Sequence, residues 1–99
     1  MKIKLTESGG FAGLVNEHEL DSDDLVPKEA EAFSKLVKSS GIESSEIRLS
    51  NSPRDLKQYD LVIRDGDREV SVTYDDRTVP ETAKPLISYL RKRTGLAGR

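Results

Sequence analysis

The side chains able to do acid-base or metal chemistry are few and badly spaced for it. His18 is the only histidine and cysteine is absent from the 99 residues, which removes thiolate zinc sites, cysteine nucleophiles and disulfide scaffolds together. His18 stands in Glu17-His18-Glu19. On a strand, alternation sends the two glutamates to one face and the imidazole to the other, so the three do not converge on a metal. No nucleophile or orienting partner lies near it in sequence, and a hydrogen-bonded or solvent-facing histidine is expected, not a general base. Asp21, Asp23 and Asp24 lack the central glycine and distal glutamate of a calcium loop. Neither Ser8-Gly9-Gly10 nor Thr94-Gly95 has the lysine and glycine spacing of a phosphate loop. No catalytic site, metal site or cofactor is expected.

Charge excludes a further class. With 16 basic and 18 acidic residues there is no overall field to concentrate nucleic acid. Local runs exist: Asp21-Ser22-Asp23-Asp24 and Asp75-Asp76 are acidic, and Arg91-Lys92-Arg93 with Arg99 is basic. They read as helix-end charges that complement the dipole. The N-terminal Met1-Lys2-Ile3-Lys4-Leu5-Thr6 has no apolar stretch behind its lysines, and no run approaches the roughly 18 apolar residues of a membrane span. A soluble, unprocessed, cytoplasmic, monomeric chain is expected, forming one domain over 1–99 with an ordered core of about 2–94.

What remains is binding, and the elements decide where. Residues 2–7 alternate, with Ile3 and Leu5 on one face, Glu7 ending that face, and Lys2, Lys4 and Thr6 on the other. After Ser8-Gly9-Gly10-Phe11-Ala12-Gly13 comes a second, weaker strand from Leu14 to Leu20. A helix follows: Pro27 suits a first helical position, Glu29 falls in the first turn, and Val26, Ala30, Phe33, Leu36 and Val37 make an apolar stripe ending at Gly41. Residues 42–55 read as a long loop with at most one short turn. Strands 56–64 and 68–74 are joined by Asp65-Gly66, a dipeptide suited to a type I′ turn. That register sets Leu61 opposite Val70 and Tyr59 opposite Val72, with Tyr59, Leu61, Ile63, Val70, Val72 and Tyr74 on the core face. The opposite face, with Asp60, Glu69, Ser71 and Thr73, is mostly polar, and unlike a basic, aromatic nucleic-acid platform. The last helix starts near Thr82 as N-cap, tolerates Pro85 in its first turn, buries Ala83, Leu86, Ile87 and Leu90, and stops at Gly95. The order ββαββα predicts a two-layer α+β domain, a four-stranded antiparallel sheet with both helices on one face.

The first turn is the candidate binding point. A two-residue Gly9-Gly10 loop pairs Ser8 with Phe11, Leu5 with Leu14 and Ile3 with Asn16, which turns Phe11 away from the core. A three-residue loop puts Val15 opposite Leu5 instead. Two arrangements stay open to Phe11: an exposed anchor for a partner, or a plug folded over the sheet edge.

Gly9-Gly10-Phe11-Ala12-Gly13, the acidic approach to Pro27, Tyr59-Asp60-Leu61-Val62-Ile63 with its Asp65-Gly66 hairpin, and Asp75-Asp76 followed by Val79-Pro80 and Pro85-Leu86 together resemble the emfourin family, from Lys2 to about Arg91. Those are small protein inhibitors of thermolysin-like zinc metalloproteases. The resemblance implies a protein that fills a protease cleft, has no cofactor of its own and acts inside the cell. It also implies a target that favours a bulky apolar residue after the scissile bond, a place Phe11 suits. The expected protease-binding stretch is Glu7, Ser8, Gly9, Gly10, Phe11, Ala12 and Gly13, with Glu7 or Ser8 nearing the zinc and flanking backbone adding a strand to the cleft edge. A generic protein-interaction module using the exposed sheet face is the alternative, and a small enzyme a distant third.

Overall fold

A computed structural model describes residues 1–9, 15–51 and 56–97. Along the chain these form β1 (Lys2–Gly9), β2 (Asn16–Asp21), α1 (Pro27–Ser39), β3 (Glu46–Arg48), β4 (Lys57–Asp65), β5 (Arg68–Asp75) and α2 (Lys84–Ala97), with single 3₁₀ turns at Ser22–Asp24 and Glu81–Ala83. The class is α+β, but the sheet has five strands in the order β2-β1-β4-β5-β3, and β3 runs parallel to β5. The expected four-stranded antiparallel sheet and the expected loop over 42–55 are corrected together. Three residues carry no readable period, and Ile47 at the centre of β3 is 77% exposed, so no buried face announces the strand. Backbone pairing to the open edge of β5 makes it, with the Ser71 amide donating to Ser45 Oγ at 2.9 Å.

Both hairpin registers differ from those the turn residues suggested. Leu5 pairs with His18 and Ile3 with Leu20, a slip of four that leaves 10–15 as the connection and gives Ile3 an apolar neighbour. Leu61 pairs with Val72 and Ile63 with Val70, a slip of two. The second turn is centred on Gly66-Asp67, and Gly66 alone is left-handed there at φ 64°, the sign pattern of a type II′ turn. Both slips are even, so no side chain changes face.

That constancy is why the core matches expectation. Ile3 and Leu5 of β1, Tyr59, Leu61 and Ile63 of β4, and Val70, Val72 and Tyr74 of β5 form one cluster with Phe33 of α1 and Leu86, Ile87 and Leu90 of α2. Phe33 and Tyr89 stack at 5.8 Å between ring centroids, and Arg93 pairs with Glu29 at 2.9 Å, joining the helices. Pro27 opens α1, and Val26, outside the helix, is exposed. Thr82 does not cap α2. Its hydroxyl donates to the Ser40 carbonyl at 2.9 Å and ties the start of one helix to the end of the other. Nor does Gly95 stop α2, which continues to Ala97, since one helical glycine costs only about 1 kcal/mol. No helix among the described residues is long and apolar enough to cross a membrane.

Asp75 fastens the connections on either side of the second hairpin. Fully buried, it accepts the Ser50 amide at 2.6 Å on Oδ2 and the Arg77 and Thr78 amides at 2.8 and 3.0 Å on Oδ1. Burial alone would raise its pKa, but these donors, Ser50 first, outweigh it and hold the carboxyl at about 2. Because the folded value lies below the unfolded one, the stability it contributes is fully present above about pH 5 and is lost as pH falls toward 2. Thermal melts across that range are expected to show wild-type Tm falling steeply. Asp75→Asn is expected to lower Tm by more than roughly 5 °C at neutral pH and to show a shallower acid slope.

Candidate functional site

Two connections meet at one end of the sheet. Glu7 pairs with Asn16 on one side and Tyr59 on the other, and Tyr59 pairs with Tyr74. The β1–β2 connection therefore lies beside the start of β4 and the end of β5, whereas the Gly66 turn lies at the far end, where Lys2 pairs with Arg64. The chain from β3 also returns to the β1–β2 end, since Ser50 is held by Asp75 and Leu56 faces Gly9.

Of the seven expected contact residues, Glu7, Ser8 and Gly9 are described, while Gly10, Phe11, Ala12 and Gly13 lie outside the described residues. The outward placement of Phe11 and the partner given to Leu14 lie outside them too. Ser8 sits half-buried on the sheet's outer face. Gly9 closes β1 with φ 85°, and a Cβ there would stand 2.9 Å from the Leu56 carbonyl oxygen. Left-handed backbone and backbone crowding both demand glycine at this position.

Glu7 is the surprise. It ends the apolar face of β1 and is only 6% exposed. Arg91 of α2 donates from Nε to Glu7 Oε1 at 2.7 Å and again from Nη2, while His18 Nε2 lies 3.1 Å from Oε2. Burial alone would raise the Glu7 pKa. Arg91 and then His18 outweigh it and hold the carboxyl below its usual range. An ionised carboxylate only accepts, so the imidazole donates through Nε2–H. The guanidinium lies over the Tyr59 ring at 5.5 Å and reaches its hydroxyl at 3.4 Å; that hydroxyl donates to Asp76 Oδ1 at 2.5 Å, and Asp76 Oδ2 takes the Lys57 amide at 3.0 Å. Burial, then Asp76, raise the Tyr59 pKa, so the phenol keeps its proton. One polar chain thus runs from β2 through β1 and α2 to β4.

Beside it, Tyr59, Asp76, Val79, Lys84, Ile87, Ser88 and Arg91 line an open cleft of about 250 Å³. Its charged members already have partners: Lys84 with Glu81 at 2.8 Å, Arg91 with Glu7, Asp76 with Tyr59 and Lys57. Among the described residues no three histidine, aspartate or glutamate side chains group as metal ligands. Glu17 and Glu19 share the outer face, paired with Lys4 and Lys2 at 2.8 and 3.4 Å, while His18 faces inward. No local spacing in the sequence joins Arg91, Tyr59 and Asp76 as a group. The available signals were a carboxylate ending an apolar strand face and an arginine four residues after Ile87, on the flank of the α2 stripe. The basic run does not serve the helix end either, because α2 has no basic residue in its last turn.

Fold and site define a small α+β protein whose polar side chains brace one sheet end and the turn leaving it. The chain belongs to the emfourin family, whose model matches residues 5–91. Emfourins are an inhibitor family, so the general role is protease inhibition. Comparison with curated proteins and with solved structures returned no match.

The Gly9 geometry yields a direct test. Gly9→Ala combines positive φ with a backbone clash, whereas Gly66→Ala meets positive φ with nothing within 4 Å. Urea denaturation is expected to show a loss of about 1–3 kcal/mol for Gly9→Ala, larger than the loss for Gly66→Ala. Equal losses would mean that the approach to Leu56 costs nothing.

Proposed function

We propose that the protein inhibits a thermolysin-like zinc metalloprotease by placing the β1–β2 turn in its active-site cleft. The proposed contact stretch is Glu7, Ser8, Gly9, Gly10, Phe11, Ala12 and Gly13. Phe11 takes the apolar pocket beyond the scissile bond, and backbone on either side adds a strand to the cleft edge. Glu7 serves as the fixed base of this stretch, because both its oxygens are engaged by Arg91 and His18. That leaves Ser8 as the side chain nearer the zinc. The whole chain acts as a monomeric inhibitor domain in the cytoplasm, with no cofactor of its own.

The observation that carries this reading is the construction of the turn's base. Gly9 is held in a left-handed conformation against the Leu56 carbonyl, directly after a strand end clamped by Arg91. A fixed root removes part of the ordering cost that binding would otherwise carry.

Purified chain is mixed with a thermolysin-like protease and peptide cleavage is followed, with zinc titrated in parallel. Expected is a saturable loss of activity that added zinc does not reverse, and a weakening of roughly tenfold or more on Phe11→Ala or Gly10→Val with the fold retained. Full inhibition by both folded variants overturns the turn as binding element. If Ile47→Asp then abolishes inhibition, the contact belongs to the outer sheet face, the surface a generic interaction module would use.

A further inference from the structure

Glu7 is the last residue of β1 held from both sides. The β1–β2 ladder ends at Glu7 with Asn16, whereas the β1–β4 ladder continues to Gly9 with Lys57. Among the described residues β1 is paired beyond Glu7 with β4 alone, so what fixes Glu7 bears on the course of the strand as it leaves the sheet. Two Arg91 nitrogens converge on Oε1 and leave Oε2 to His18, which constrains both the place and the rotation of the carboxylate. The guanidinium is in turn held by the Tyr59 ring and hydroxyl.

We propose that Arg91 is a positioning residue of the inhibitory turn: from α2, through Glu7, it sets the direction in which β1 leaves the sheet. This rests on the reading that the β1–β2 turn binds the protease, and names what holds it. An apolar residue at position 7 would complete the core without desolvating a charge, and such replacements are often neutral or stabilising. A carboxylate there serves geometry. Lysine could supply a charge but not a planar fork lying over Tyr59.

Arg91→Lys, Arg91→Gln, Glu7→Gln and the Glu7→Gln/Arg91→Gln double variant are compared with wild type at a temperature where circular dichroism shows folded protein. The readouts are the inhibition constant against a thermolysin-like protease and amide hydrogen exchange. Expected is inhibition weakened about tenfold by each single variant, with the double variant no worse than the weaker single, as for partners in one interaction. Exchange is expected to quicken at residues 7–9 and 16–18 and to stay unchanged at Leu61 and Val72. Folded single variants inhibiting within twofold of wild type overturn the proposal, as does exchange that quickens equally across β4 and β5. If Arg91→Gln does not fold, Arg91→Lys is judged by the same two criteria. If wild type fails to inhibit, the protease reading falls, and local exchange still decides whether Arg91 holds the end of β1.

Discussion

A carboxylate taken out of water has to be answered, and the answer given to Glu7 organises this end of the molecule. Its partners come from β2 and from α2, 84 residues further along the chain. Arg91 stays partly in solvent, with 40% of its side chain exposed, so the pair desolvates one charge far more than the other. The penalty is therefore smaller than for a fully buried ion pair. Removing Arg91 would leave Glu7 with His18 alone, and removing Glu7 would leave Arg91 with Tyr59 alone, so the pair ties α2 to the end of β1. Tyr59 extends the constraint to β4, and Asp76 extends it to the approach of α2.

Asp75, two strands across at the same sheet end, does comparable work by other means. Among the described residues it has no cationic partner; three backbone amides satisfy it. One carboxylate fixes side chains between elements, and the other fixes backbone within connections. Together they explain how a sheet end where all five strands begin or finish is held without cysteine or a metal group among the described residues.

How far these features were legible depends on their range. Alternation placed every core side chain of β4 and β5 on the right face, because a period of two survives any even slip. It does not choose among even registers, so a turn centred on Asp65-Gly66 sets Leu61 opposite Val70 where Val72 stands. Turn chemistry decides that choice, and Asp65-Gly66-Asp67 suits two centrings equally well. β3 was invisible because it buries nothing; an exposed Ile47 between Glu46 and Arg48 looks the same in a strand as in a loop. The Glu7–Arg91 pair was hidden for another reason. Each residue belongs locally to a pattern that explains it, a strand end for one and a basic helix tail for the other, and only the packing of α2 brings them together. Family resemblance supplied a function that spacing alone did not carry.

The strand order has a consequence in time. β1 comes first in the chain yet lies inside the sheet, between β2 and β4, and a lone two-stranded hairpin is at best marginal in water. Its second neighbour closes a loop of about fifty residues, at an entropic cost that grows slowly with length. Its clamp comes from the final helix. During synthesis, then, the earliest segment to emerge is among the last to acquire its finished shape, and a chain interrupted before Arg91 carries the turn without the brace that holds its base.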